Sequence, residues 1–147
     1  MEMLTRQVNR RLHEEHQATL ALWTRLESAL AAGKADAALI RAAAASLAEE
    51  IARHFDFEER ELFPRLEAAG EGDIAALLRE EHATIRDIAS RFIALPKEIF
   101  TKEIQRLGLE LAERLVSHVQ KEEMSMLPAL EDLLDEDTDA ALAVGMA

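Results

Sequence analysis

Two stretches of the sequence combine histidine and glutamate in the same order and could bind metal. Residues 54–64 (HFDFEERELFP) and 118–128 (HVQKEEMSMLP) both follow the pattern H-x3-E-E-x3-[LM]-[FL]-P. A Glu-Glu-His triplet precedes each stretch, ending at His16 and at His82. In a helix the two side chains of H-x3-E lie one turn apart on the same face, so both can reach one ion or two adjacent ions. The repeat therefore predicts a metal site.

The predicted ligands are four imidazoles and two carboxylates, namely His16, His54, Glu58, His82, His118 and Glu122. Six donors are too many for a tetrahedral zinc site, and the imidazole content is too high for calcium or magnesium. Two carboxylates that can bridge, with histidines as terminal ligands, suit two iron ions, and manganese or zinc could replace them. The alternative is a set of buried polar residues that bond to one another without metal. No histidine has a glutamate three residues before it, which argues against a ferritin-like di-iron site.

Three further polar residues are close in sequence to the predicted ligands. His13 precedes His16 by three residues and is either an exposed residue near the site or a fifth nitrogen ligand. Glu59 and Glu123 each follow a predicted ligand by one residue and rotate away from the buried face. We expect these two glutamates to be solvated; the alternative is that they contact the ligands from behind.

Glycine and proline divide the chain into four long helical segments. We expect helices near residues 5–32, 36–66, 73–94 and 98–127. Asp36 and Asp73 are the expected N-caps, and the proline that ends each repeat is expected to stop its helix. The predicted fold class is all-α, an up-down-up-down four-helix bundle with an internal two-fold helix-pair repeat. We assign residues 1–134 to this bundle and residues 135–147 to an acidic, alanine-rich C-terminal tail that we expect to be frayed.

Apolar stripes at 3-4 spacing run along the predicted helices, and the histidines and glutamates interrupt them. Two buried carboxylates beside four imidazoles need a compensating charge, which a metal supplies. The helix rise places His16 and His54 about 26 and 30 Å from the turn that joins their helices, so the two meet at one level. For the second histidine pair the distances are about 21 and 33 Å, which requires irregular backbone between Leu95 and Thr101.

Composition narrows the range of functions. The chain has 147 residues, no cysteine and a formal net charge of −12. The lack of cysteine excludes disulfides, thiolate zinc sites and iron–sulfur clusters. The negative charge argues against binding to nucleic acid or to an anionic membrane surface, and no apolar run approaches the ~20 residues that span a bilayer. We therefore expect a soluble cytoplasmic protein.

The order of the predicted ligands resembles the hemerythrin-like (HHE cation-binding) family, in which a single histidine on one helix and H-x3-E on the next are repeated. The resemblance covers roughly residues 9–131. It implies that the four histidines are terminal ligands and that Glu58 and Glu122 bridge two iron ions, together with an oxo or hydroxo group. It also implies an open iron position for dioxygen or another small diatomic. Oxygen-carrying hemerythrins have a fifth histidine from the third helix; residues 78–81 provide none, which argues against a carrier.

Three functions are compatible with this pattern. The first is a di-iron protein that binds or senses dioxygen or a related small diatomic such as nitric oxide. The second is a di-iron redox enzyme or repair factor for nitric oxide or peroxide stress, and the third is an iron-sensing structural module. The sequence has no tyrosine, so a tyrosyl radical is excluded and any catalysis would be centred on the metal. Whether the protein is an enzyme stays open on this basis.

Overall fold

The computed structural model describes residues 4–146 and contains five helices in that range. They are α1 (Gln7–Ala31), α2 (residues 37–68), α3 (Gly72–Ala94), α4 (residues 102–133) and α5 (Glu136–Gly145). Residues 4–146 form no β-strand, so the predicted all-α fold class is confirmed. Both α1 and α3 pack against α2 and α4, an arrangement compatible with the predicted four-helix bundle. In the described part of the chain, no helix has both the length and the apolar character needed to cross a membrane.

Several ends of the helices follow local sequence signals, but one of the two predicted N-caps does not form. Asp36 caps α2 as predicted, because its side chain accepts a hydrogen bond of 2.8 Å from a backbone N–H in the first turn. Asp73 does not cap α3 and lies inside its first turn instead, so this prediction is wrong. Gly33 and Gly70 follow α1 and α2 with φ angles of 68° and 87°, a conformation that glycine adopts at low cost.

Helices α2 and α4 change from α-helical to π-helical geometry at the repeated motif. In α2, the order is α-helical Ala37–Glu49, π-helical Glu50–Phe55 and Glu58–Leu62, and α-helical Phe63–Ala68. In α4, the order is α-helical Lys102–Lys121, π-helical Glu122–Met126 and α-helical Leu127–Leu133. The predicted helix stops at Pro64 and Pro128 are therefore wrong, since both prolines begin segments that continue the helix. A proline inside a helix lacks an N–H and clashes with the carbonyl four residues back. The π-helical turn before each proline displaces that carbonyl, so the helix can continue through the proline.

Two apolar clusters lie along the helices, one on each side of the histidine and glutamate layer. One cluster includes Trp23, Leu47, Phe92 and Leu111, and the other includes Leu12, Leu62, Leu78 and Leu127. On each of α1 to α4, the predicted ligands come between residues of the two clusters. The layer is therefore enclosed by apolar side chains above and below, where electrostatic interactions are strong.

The C-terminal segment is a docked helix, so the expectation of a frayed tail is wrong. Asp139 on α5 is buried and accepts hydrogen bonds from the backbone N–H groups of Gln7 and Val8, at 2.8 and 3.0 Å. These N–H groups lie in the first turn of α1, and the N-cap residue of α1 makes no side-chain hydrogen bond to them. The Asp139 carboxylate therefore supplies the acceptors that these N–H groups would otherwise lack. Leu142 and Met146 are buried against the cluster that includes Leu12. The assignment of residues 135–147 to a separate tail stays a prediction.

Candidate metal centre

The structure brings the six predicted ligands into one buried layer in which no side chain is more than 3% exposed. They form two groups that could each hold a cation. The first group is His16, His54, Glu58 and Glu122, and the second is Glu58, His82, His118 and Glu122. The irregular backbone expected between α3 and α4 is present, because α4 begins at Lys102 instead of near residue 98. This connection lets the histidines of α3 and α4 meet at one level.

Each carboxylate in the layer lies between two histidines, one from each group. The closest approaches of their oxygens to Nε2 atoms are Glu122 Oε1–His16 at 2.8 Å, Glu122 Oε2–His118 at 3.2 Å, Glu58 Oε2–His54 at 3.0 Å and Glu58 Oε1–His82 at 3.1 Å. The two oxygens of a given glutamate therefore face different groups. This is the disposition of a carboxylate that can bridge two metal ions.

Two further observations fit cations in this layer. The Nε2 atoms of His82 and His118 are 3.1 Å apart. That distance is close to the spacing of two imidazoles bound side by side to one ion, with bonds of about 2.1 Å each. In addition, Glu58 Oε1 and Glu122 Oε2 are buried without a hydrogen-bond partner, since the nearby imidazole nitrogens lie outside hydrogen-bonding geometry. A buried carboxylate oxygen without a hydrogen-bond partner destabilises the folded state unless a cation lies next to it.

Protonation balances the charges of the layer in the absence of metal. Burial would lower the pKa of His16, but hydrogen bonds with Glu122 and Glu123 outweigh burial and raise this pKa to about 9. Burial also opposes protonation of His118, yet the negative charge of Glu122 raises its pKa to about 10. Burial would raise the pKa of Glu122, but the positive charge of His118 and the close approach of the histidines around it hold this pKa well below its usual range. Metal ions that enter the layer must therefore displace protons from imidazoles.

Four glutamates outside the layer, which we call the outer carboxylates, each contact the remote nitrogen of one histidine. The pairs are Glu123–His16 at 2.6 Å, Glu15–His54 at 3.3 Å, Glu59–His82 at 2.6 Å and Glu81–His118 at 2.8 Å, all to Nδ1. In every pair the glutamate and the histidine come from different helices, so the four contacts form a ring around α1 to α4. A carboxylate at Nδ1 keeps the proton there and turns Nε2, free to bind metal, towards the centre.

The predicted solvated positions of Glu59 and Glu123 are wrong, because both glutamates bind histidines of the layer and their side chains are only 25% and 20% exposed. Glu15 and Glu81 have the same function, although the sequence indicated no role for them. The available signal was the doubled glutamate itself, which occurs beside a predicted ligand at all four sites. The spacing alone does not show which helix a glutamate contacts.

Each outer carboxylate also binds a cationic or ionisable side chain from the helix of its histidine partner. The partners are Arg53 for Glu15, Arg86 for Glu59, Lys121 for Glu81 and His13 for Glu123. His13 directs Nδ1 to Glu123 at 2.5 Å and belongs to neither candidate group. The structure therefore places His13 behind Glu123, as an indirect contact to His16, and does not place it as a fifth nitrogen ligand.

Aromatic packing makes the two groups different from each other. Phe55 stacks on the His82 ring with a centroid distance of 3.8 Å and an interplanar angle of 1°. Phe63 lies against the same ring at 5.2 Å. The corresponding residues of the second repeat are Val119 and Leu127, which have no ring. The second group is thus shielded by aromatic side chains to a greater extent than the first.

Comparison with known families gives one match. The family described as hemerythrin HHE cation binding domain matches residues 7–130, a range that includes all six candidate ligands and the four outer carboxylates. A search of curated proteins finds no match. The matched range is nearly the whole chain, and its histidine and glutamate groups could hold cations. The chain belongs to the hemerythrin HHE cation-binding domain family.

Proposed function

We propose that the protein is a non-haem di-iron protein that binds or senses dioxygen or a related small diatomic such as nitric oxide. In this proposal the four histidines of the layer would be terminal ligands, and Glu58 and Glu122 would be shared by the two ions. The ligands come from a four-helix bundle in which α3 and α4 repeat α1 and α2. The observation that carries the proposal is the pair of four-residue groups that share both glutamates.

The chemistry of the donors supports iron. Each group offers two imidazole nitrogens and two carboxylate oxygens, a mixture that suits iron. Calcium and magnesium prefer oxygen donors alone, and structural zinc sites are usually closed and tetrahedral around one ion. The two shared carboxylates would hold two ions close to each other, and the outer carboxylates would keep all four imidazoles oriented towards them.

The surroundings of the layer support a small, uncharged ligand. When bound, iron supplies a redox-active centre with coordination positions that four protein donors leave free. The apolar clusters on either side of the layer keep bulk water away, and Phe55 and Phe63 cover the second group. A diatomic gas enters such surroundings at low cost, whereas a charged substrate loses its hydration.

The test begins with metal analysis of protein reconstituted with ferrous iron under anaerobic conditions, for which we expect two ions per chain. The loaded protein is then mixed with dioxygen in a stopped-flow spectrometer. A visible absorption change that reverses when the gas is removed supports binding or sensing. Irreversible oxidation with turnover supports the alternative, a di-iron redox enzyme or repair factor. One ion or none per chain would contradict the dinuclear centre.

The matched variants are Glu122→Gln, which alters a shared carboxylate, and Glu113→Gln, which alters an exposed glutamate of the same helix. We expect Glu122→Gln to lose dinuclear loading and Glu113→Gln to keep it. Equal loading of the two variants would show that the shared carboxylate does not bind the ions.

A further inference from the structure

A cavity of about 200 Å³ connects the surface to one candidate ligand. It lies between α1, α2 and the end of α5, and His54 is part of its lining. The His54 side chain is only 2% exposed and Leu12 is fully buried, so these two residues form the inner part of the cavity wall. Glu15 also lines the cavity, and its Oε2 atom is buried without a hydrogen-bond partner. A solute that crosses this space therefore meets a polar atom next to the metal layer.

The opposite flank of the molecule is closed by contrast. A larger cavity of about 550 Å³ lies between α3 and α4, but its lining contains none of the six candidate ligands. The ion pair of Lys121 with Glu81 lies between this cavity and His118. On the same side, Phe55 covers the His82 ring. Access from the flank of α1 and α2 is therefore easier than access from the flank of α3 and α4.

Met146, directly after α5, forms part of the wall of the cavity that reaches His54. It is 5% exposed and packs with the apolar cluster that includes Leu12 and Phe57. An unbranched thioether side chain changes its conformation easily, so Met146 can move aside while α5 stays folded. Asp139 and Leu142 attach α5 to the bundle and hold Met146 in this place.

We propose that the cavity between α1, α2 and α5 is the route by which small solutes reach the centre, and that Met146 selects these solutes by size. The inference deepens the proposed function and rests on it for the identity of the centre. The route itself is a property of the chain, so it has a readout that needs no metal. This readout is the rate at which diethyl pyrocarbonate modifies His54 in metal-free protein, followed by mass spectrometry.

Three variants test the route. Met146→Ala shortens the side chain, Met146→Leu keeps its size, and Val144→Ala alters a residue of α5 that is 76% exposed. We expect Met146→Ala to accelerate modification of His54 about tenfold, because truncating a buried apolar side chain favours the open state of the route. Met146→Leu and Val144→Ala should retain the rate of the unaltered protein. Equal acceleration in Val144→Ala, or none in Met146→Ala, would overturn the proposal.

A second measurement uses the iron-loaded protein. We expect Met146→Ala to lose ferrous iron to 2,2′-bipyridine about tenfold faster than the unaltered protein does. The rate of iron loss to the bulkier chelator bathophenanthroline disulfonate should increase by a smaller factor. The two readouts separate the two proposals. If the chain binds no iron but His54 modification still accelerates, the proposed function fails and the route stands. If iron binds and neither rate changes, the route fails and the proposed function stands.

Discussion

At the scale of single residues, the outer carboxylates determine how the histidines face the centre. Each of them binds Nδ1 of a histidine on a neighbouring helix, and three also bind a permanent cation. Burial would raise the pKa of Glu15, but hydrogen bonds with His54 and Arg53 lower it to about 2. The pKa of Glu81 is lowered in the same way, against burial, by hydrogen bonds with His118 and Lys121. These groups are therefore anions at neutral pH and act as fixed acceptors.

The first prediction concerns Glu81→Gln. An amide has the shape of the carboxylate but lacks its charge, so it holds the Nδ1 proton of His118 less strongly. We expect metal affinity to fall about 10- to 100-fold, with the fold unchanged, as for other residues that orient metal-binding histidines. Competition titration with a chelator measures the affinity. Glu113→Gln is the control, and equal affinities for the two variants would show that the outer carboxylate has no effect on the metal.

The second prediction separates His13 from His16. His13→Ala should retain two ions per chain, because its nitrogen contacts Glu123 and lies in neither candidate group. His16→Ala removes a member of the first group and should lose at least one ion. Metal analysis after reconstitution and desalting measures both. Loss of iron from His13→Ala as readily as from His16→Ala would instead identify His13 as a fifth ligand.

The six candidate ligands were predictable from sequence because histidine, of which the chain has only five, recurs with glutamate at one spacing in both halves of the chain. The roles of Glu15 and Glu81 were not predictable, since each contacts a histidine on another helix. Such a contact depends on how the helices rotate about their axes when they pack. The sequence contains the residue types, and packing determines which of them meet.

At the scale of helices, the boundaries of α1 and α3 agree with the hydrophobic periodicity to within about two residues. The π-helical turns of α2 and α4 were not predictable, because periodicity does not distinguish i−5 from i−4 bonding over one turn. His54 and Glu58 both lie in such turns, and Glu122 begins another. Wider turns shift the direction of these side chains relative to a regular helix, and they also let the helix continue through proline.

The third prediction tests the attachment of α5. Asp139→Ala leaves two N–H groups at the start of α1 without an acceptor. The loss of this cap should reduce the free energy of unfolding by roughly 1–2 kcal/mol. Chemical denaturation of the metal-free protein measures the effect. Asp137→Ala is the matched control, since Asp137 is exposed on the same helix and should change stability by less than about 0.5 kcal/mol. Equal stability of the two variants would mean that α5 is not attached through Asp139.

At the scale of the whole molecule, the polar layer links metal binding to folding. Four imidazoles and two carboxylates share one buried section between two apolar clusters. Without metal, ion pairs between protonated histidines and glutamates compensate for their burial. With metal, the cations take over this function and the protons leave. The layer is therefore the part of the core whose contribution to stability depends most on pH and on bound metal. The apolar packing on either side of it defines the fold.

The last prediction follows from the pKa of the histidines in the metal-free protein. The pKa of His16 and His118 rises from an ordinary value of 6.5 to about 9 and about 10. A raised pKa means that protonation of these histidines stabilises the folded state. This stabilisation is complete below pH 6.5 and is lost as the pH rises through the two raised pKa values. The pKa of Glu122 is lowered, so its contribution is present at neutral pH and lost in acid. The melting temperature of metal-free protein should therefore decline from about pH 7 to pH 10.

Iron-loaded protein should melt at a higher temperature and decline less over the same range, because its imidazoles bind metal and carry no second proton. For a chain of this length, each 1 kcal/mol corresponds to about 3 °C. Differential scanning calorimetry of both forms, with metal content checked in each sample, measures the difference. A melting temperature unchanged by verified metal removal would show that the ions bind outside the buried layer. Parallel pH profiles of the two forms would show that the histidines of the layer do not exchange protons for metal.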